Sequence, residues 1–262
     1  MHRLSPQNLS HGLSTQRIGR HILVLPEVDS TNRYALSLAD AEGATSDGTV
    51  IFAERQTAGR GRFGRTWHSP NGASLLMTAL LWEEGARRHG PAFLIMAAGL
   101  AVVRGIELST DVSPVIRWPN DIYVRDRKLA GVLVEVGAKG KAVAIGIGVN
   151  CLQQTAHFPI ELSQAAISLE LASSLPVDRS SVGRAIIKSL DKMLGSIDDV
   201  NDTKLAADWS ACSDDMGRRA TLIREGQPYR GQIVDIHPAE GLVLQLDSGG
   251  RRHFDPETTT RE

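Results

Sequence analysis

The nine residues Gly59 to Trp67, GRGRFGRTW, place Arg60, Arg62 and Arg65 among Gly59, Gly61 and Gly64. Guanidinium groups donate in pairs to phosphate or carboxylate oxygens, and interspersed glycines let a backbone fold over such an anion. Trp67 adds a flat face for a ring. The glycines also spell G-x-G-x-x-G, a spacing shared by dinucleotide-binding and kinase phosphate loops. A dinucleotide site needs a helix to open at the third glycine, so that its N-terminal amides meet the pyrophosphate. Here Gly64 is followed by RTWHSPNGA, where Pro70 and Asn71-Gly72 predict turns, although Glu83 and Glu84 stand near the distance of a ribose-binding acid. A Walker loop fails as well, because Gly-Lys-Ser/Thr does not occur. What remains is a cationic loop suited to an anion, with a solvated basic turn as the alternative if the loop stood alone.

Two further blocks bear on that choice. In IRWPND, Ile116 to Asp121, the proline holds the chain extended before Asn120 and Asp121, and Lys128 enters the next strand just ahead of Ala130-Gly131. An Asn-Asp pair can orient a lysine or hold a hydrated magnesium ion, and by itself it can also be a plain turn. In VAIGIGVN, the period-two alternation puts Ala144, Gly146, Gly148 and Asn150 on one strand face. Glycines weaken a strand, so two on one face imply a close approach, by a packed helix or by a ligand whose floor they form.

These blocks need elements to carry them. HILVL (His21–Leu25) and TVIFA (Thr49–Ala53) read as strands around a helix that Asp29, Ser30 or Thr31 can cap. SLLMTALLW, Ser74 to Trp82, is apolar enough for a central strand, and Pro91 opens a core helix that is apolar nearly all round. Strands VIRW, DIYV, KLAGVLVEV and KAVAIGIGVN follow, the middle pair joined by a hairpin at RDRK. Helices are expected at Ser163–Leu171, Arg179–Leu194 and Lys204–Cys212, and from about Asp214 short strands broken by glycines predict a small barrel or sandwich. The fold class is therefore α+β with a mixed sheet, divided as a flexible lead-in (residues 1–20), a main domain (21–213) and a small β domain (214–262).

Composition narrows the partners. Lys and Arg total 29 against 30 Asp and Glu, a net charge of -1, which supplies no general field for nucleic acid or anionic lipid. No N-terminal apolar stretch has signal-peptide character, and no later run is expected to approach the roughly 18 apolar residues of a membrane span. A cytoplasmic protein is expected, with no membrane and no DNA partner. Cys151 and Cys212 lack zinc-ligand spacing and read as buried thiols.

Taken in order, VDSTN, AERQTAGRGRFGRTWHSPNGASL, RWPND, RKLAGVLVE and GIGVN closely resemble the motifs of biotin protein ligases, from about Ile22 to the C-terminus. The resemblance implies a catalytic domain like that of class II aminoacyl-tRNA synthetases and a C-terminal SH3-like barrel. It implies two half-reactions: biotin and ATP with magnesium form biotinyl-5'-AMP, then a lysine of a biotin carboxyl carrier protein, the natural candidate being that of acetyl-CoA carboxylase, takes the acyl group. It also implies roles. Lys128, Arg62 and Asp121 would be catalytic. Biotin would meet Ser30, Thr31, Asn32, Gln56, Arg60, Gly61, Arg62 and Lys128. ATP and the adenylate would meet Arg60, Arg62, Arg65, Trp67, Asn120, Lys128 and Asn150, and magnesium Asn120 and Asp121.

Some family members carry an N-terminal winged-helix domain and double as repressors; with residues 1–20 ahead of the catalytic part, a ligase without operator binding is expected. Family members also include dimers built edge to edge through the central sheet, so a homodimer is among the implied arrangements. Cys151 after GIGVN departs from the aliphatic residue expected there, a change between small apolar side chains. The nearest rival is a lipoate or octanoate ligase of the same fold, which Asn32 and Gln56 disfavour because an aliphatic tail has no ureido group to bond. A nucleic-acid module using the same arginines would need salt-sensitive binding without ATP.

Overall fold

The computed structural model describes residues 3–82, 90–195, 202–237 and 240–261, so the readings at Glu83 and Glu84 lie outside the described residues. The chain opens with helix α1 (Pro6–Ser10), capped by Ser5, whose Oγ accepts from Asn8 N at 3.2 Å. The segment expected to be a flexible lead-in is packed. Leu9 and Ile18 are fully buried, and the Asp191 carboxylate accepts from the backbone N–H of Gln16, Arg17 and Ile18 at 2.8, 2.8 and 2.7 Å. Its polar composition misleads because its amides find a partner some 175 residues away in sequence.

A seven-stranded mixed sheet forms the main layer. Its strands are β1 (Ile22–Leu25), β2 (Val50–Ala53), β3 (Ser74–Trp82), β4 (Val115–Arg117), β5 (Asp121–Val124), β6 (Arg127–Val136) and β7 (Ala142–Asn150), in spatial order β1-β2-β3-β7-β6-β5-β4. Only β1 and β2 run parallel, joined by helix α2 (Thr31–Glu42); every other pair is antiparallel. β3 has eight of nine residues buried because it lies between β2 and β7, which is why its sequence is continuously apolar. The β5–β6 hairpin turns through Arg125 and Asp126 at φ of 50° and 60°, the left-handed pair that matches strand twist.

Helix α3 (Pro91–Ser109) is the core helix. Contrary to the expectation that no run would suit a membrane, it is long and apolar enough by length and composition, with mean hydropathy 1.7. Its apolar surface is instead spent on the core: a Cβ at Gly105 would lie 2.5 Å from Ile186 Cγ1, so α3 packs tightly against a later helix, α5 (Arg179–Gly195). The helix expected over 163–171 is reduced to α4 (Leu169–Ala172). Residues ahead of it pair with β6 instead, Lys128 N donating to Ala165 O at 2.7 Å and Ile167 N to Lys128 O at 2.9 Å. This tertiary pairing overrides the helical pattern and draws the 155–167 segment alongside Lys128.

After α6 (Asp202–Ala211) the chain forms a second sheet from β8 (Arg219–Arg224), β9 (Gln227–His237), β10 (Gly241–Leu246), β11 (Arg251–Phe254) and β12 (Thr259–Arg261). It is antiparallel throughout, in order β11-β10-β9-β8-β12, consistent with an SH3-like barrel whose edges do not close. Leu222, Ile233, Leu242, Leu244 and Phe254 fill it. β12, three residues of TTR, is too short and polar to be read from sequence, and it carries the chain end back to the first sheet.

Candidate active site

A cleft of about 400 Å³ opens on the glycine-bearing face of the first sheet, and every candidate catalytic or binding residue named from the sequence lines it. Its walls are the start of α2, the arginine loop, strands β5, β6 and β7, residues 157–159 with Leu162, Ala165 and Ala166, and Thr260 and Arg261 of β12. The glycines form its floor. A Cβ at Gly146 would lie 2.4 Å from Asn32 Oδ1, and one at Gly148 would lie 2.7 Å from Trp67 Cε2. The close approach expected at this face is therefore made by the protein's own amide and indole.

One end of the cleft is neutral and hydrogen-bonded. Ser30 precedes α2 without capping it; Gln56 takes that part, its Oε1 accepting from Thr31 N at 2.7 Å and from Thr31 Oγ1 at 3.0 Å. The Gln56 Nε2 hydrogens then have no acceptor among the described residues. Asn32 is more fully committed. Its Nδ2 donates to Leu133 O (3.1 Å) and Glu135 Oε2 (2.9 Å), and its Oδ1 lies 2.7 Å from the buried Thr78 hydroxyl. Thr78 and Glu135 were not found by sequence reasoning; Glu135 closes the RKLAGVLVE motif, and Thr78 sits mid-strand in an apolar run, a polar residue out of place.

The other end is charged. Lys128 Nζ lies 2.7 Å from Asp121 Oδ2 and 5.9 Å from the centroid of the Trp67 ring. Gly131 makes room for this: a Cβ there would lie 3.4 Å from Asp121 Oδ1 and 3.5 Å from Lys128 Cε. Arg62 Nη1 donates to Asn120 Oδ1 at 3.2 Å and Arg62 Nη2 to the Pro256 carbonyl, while Asn120 Nδ2 donates to Val132 O at 2.7 Å. Burial pulls the Arg62 guanidinium below its usual pKa, with Asp121 opposing; a guanidinium so far from neutrality stays charged.

The loop itself is a small hairpin: Gly61 N donates to Arg65 O at 2.7 Å and Trp67 N to Gly59 O at 3.0 Å. Phe63 at its tip has φ 55° and is 54% exposed. Arg60 pairs with Glu135 at 2.9 Å, and Arg65 Nη2 donates to Arg261 O at 3.3 Å. Gly61 keeps the loop narrow, since a Cβ there would already touch Arg65 O at 3.4 Å.

Three features lay outside the sequence reading. The C-terminal segment reaches the cleft through the carbonyls of Pro256, ahead of β12, and of Arg261 within it. The fully buried Asp215 carboxylate joins Arg261 Nη1 (2.5 Å) to Trp118 N (2.7 Å), two residues ahead of Asn120. Asn150 is buried with its amide turned inward, donating to Ile167 O at 3.1 Å and accepting from Gln153 Nε2 at 2.9 Å, so it holds the 150–167 segment. Beside it Cys151 is fully buried and burial pushes its thiol up to about 12, which makes it inert as a nucleophile.

Among the described residues no group of three or more His, Cys, Asp or Glu could hold a metal. Asn120 and Asp121 offer one amide and one carboxylate, already bonded to Arg62 and Lys128. That is too sparse for a protein-built magnesium cage and suits a hydrated ion whose other ligands are phosphate oxygens.

A family model described as the biotin/lipoate A/B protein ligase family matches residues 24–151. The chain is 31% identical over 255 residues to the bifunctional ligase/repressor BirA of Bacillus subtilis, covering 96% of this chain and 78% of that protein. It is 34% identical over 259 residues to the biotin–acetyl-CoA-carboxylase ligase of Mycobacterium tuberculosis, covering 95% and 93% of the two. A solved biotin protein ligase from Aquifex aeolicus, in complex with biotin and ATP, superposes with a TM-score of 0.78 at 26% identity, covering 93% of this chain and 100% of that one.

Proposed function

The chain belongs to the biotin protein ligase family and is a ligase, and from that premise we propose that it activates biotin with ATP and transfers it to a carrier lysine. One observation carries this reading: a neutral donor-and-acceptor end and a cationic end share one cleft, joined across a floor of glycine and indole. Biotin has that polarity, a neutral ureido ring at one end and a carboxylate at the other.

The Gln56 Nε2 hydrogens and the Ser30 hydroxyl would donate to the ureido carbonyl, and Thr31 Oγ1 would accept from a ring N–H. Asn32, whose amide hydrogens are both committed within the protein, positions this end. A lipoyl or octanoyl tail would leave the same groups unpaired in a buried pocket, a penalty that discriminates strongly.

At the charged end the biotin carboxylate oxygen attacks the α-phosphorus of ATP; the new O–P bond forms as the bond to the β-phosphate breaks and pyrophosphate leaves. Two anions must meet, so the Lys128 ammonium and the Arg60, Arg62 and Arg65 guanidiniums neutralise the approach and the charge that develops. Asp121, 2.7 Å from Lys128 Nζ, holds that ammonium in place. Asn120 and Asp121 would hold a hydrated magnesium ion, which would supply charge neutralisation for the phosphates. Trp67 offers a face to the adenosine, and Asn150 acts through the segment it anchors. In the second step the neutral amine of the carrier lysine attacks the acyl carbon, AMP departs, and the amide nitrogen loses its proton.

The natural acceptor is the carrier domain of an acetyl-CoA carboxylase, as the name of the Mycobacterium tuberculosis relative suggests for that protein. The reading is confined to ligase chemistry: a net charge of -1 supplies no field for operator binding. Incubating the protein with biotin, magnesium ATP and such a carrier domain should add one biotinyl group to one lysine, seen by intact mass, and omitting ATP should abolish it. Acylation by lipoate in place of biotin would overturn the substrate assignment.

A further inference from the structure

Transfer imposes a reach requirement on the partner. A lysine extends only about 6 Å from Cα to Nζ on its four-carbon stem, so the backbone of the acceptor domain must rest on the mouth of the cleft. Three of the seven exposed large apolar side chains among the described residues belong to two segments of that mouth: Phe63 at 54%, Ile160 at 89% and Leu162 at 38%. Single exposed apolar residues are ordinary; their gathering at one opening is not.

Ile160 meets water from a hydrogen-bonded turn. It starts a 3-10 turn, Ile160–Leu162, in which Leu162 N donates to Pro159 O at 2.9 Å and Ser163 Oγ to Ile160 O at 2.7 Å. Arg127 Nη2 fixes the following residue through Ser163 O at 2.9 Å. The same segment turns Phe158, Pro159 and Leu162 into the cleft and pairs with the backbone of Lys128 through Ala165 and Ile167. The lip is therefore fixed to the strand that carries Lys128, the charged end at which the acyl group would be activated.

We propose that the Ile160–Leu162 lip is the docking surface for the lysine-bearing turn of the acceptor domain, with Ile160 as its apolar anchor. The proposal rests on the ligase reading above and adds the surface that brings the second substrate in. A preorganised apolar anchor at an interface centre carries more of the affinity than the polar rim around it. Ile160 itself does not line the cleft, so it takes no part in forming the adenylate.

The test is Ile160→Asp, with Ile160→Leu as the conservative control. Biotin-dependent exchange of pyrophosphate into ATP, and capture of the adenylate by hydroxylamine, should match wild type in both variants. With a biotin carboxyl carrier domain as acceptor, Ile160→Asp should raise KM about tenfold, and Ile160→Leu should restore it. An unchanged carrier KM would overturn the proposal, as would a parallel loss of pyrophosphate exchange, which would assign the lip to the first half-reaction. A change of oligomeric state in sedimentation, with carrier KM unmoved, would mark the lip as a contact between copies of this chain. Failure of the wild-type protein to exchange pyrophosphate with biotin would sink the ligase reading itself, a result separable from any effect of the variants.

Discussion

The two ends of the cleft hold their polar groups in different ways. At the neutral end Thr31, Asn32, Gln56 and Thr78 are bonded to one another and to strand β6 at 2.7–3.1 Å, and few of their donors are left over. At the charged end each cation rests on a partner that an incoming anion can replace: Glu135 for Arg60, carbonyl oxygens for Arg62 and Arg65, and Asp121 for Lys128. A network completed within the protein selects by shape and by the few groups it leaves free. Cations held by replaceable partners are ready to exchange them for phosphate and carboxylate oxygens. The contrast implies that acid selectivity resides at the neutral end and rate at the charged end.

Lys128→Ala should break that division most sharply. Losing one preorganised cation from a charge-developing step lowers adenylate formation by about 10²–10³-fold, while the melting temperature stays near wild type because the side chain is one-third exposed. Adenylate made at the wild-type rate would remove Lys128 from the chemistry. Gln56→Ala should strike the other end, raising the KM for biotin by about thirtyfold with kcat for the bound acid little changed. It should also destabilise the protein by about 1 kcal/mol, since Gln56 caps α2 at Thr31 N. Equal effects on biotin and ATP would mean that the two ends do not act separately.

Arg62→Ala comes next: adenylate release should quicken about tenfold, measured by chasing labelled adenylate, with a smaller loss of initial biotin binding. The smallest effect is ionic. Raising salt from about 0.05 to 0.5 M should increase the KM for ATP a few-fold and that for biotin less, because ATP brings several charges to the charged end and biotin a single carboxylate.

How much of this the sequence revealed depended on whether the signal was local. β3 and α3 were legible because continuous apolar runs have few places to go but a core. The arginine loop, RWPND and the Gly146/Gly148 face were legible because unusual residue types at short spacing need a reason. The helix expected over 163–171 failed where backbone pairing with Lys128 outweighed local pattern. Residues 1–20 failed as a flexible lead-in because Asp191 and Glu54, far along the chain, satisfy their amides. Glu135, Thr78, Asp215 and the carbonyls of Pro256 and Arg261 matter through partners brought near only by the fold; the Arg62–Pro256 bond spans 194 residues. No periodicity or motif encodes such a pairing.

The central claim, one cleft that selects a ureido-bearing acid and activates its carboxylate, is tested most directly by acid-dependent exchange of labelled pyrophosphate into ATP with magnesium, run in parallel with biotin, lipoate and octanoate. The account predicts exchange with biotin and none with the two aliphatic acids. Exchange with lipoate or octanoate but not biotin would contradict the role given to the neutral end, and exchange with no acid would contradict adenylation at the charged one.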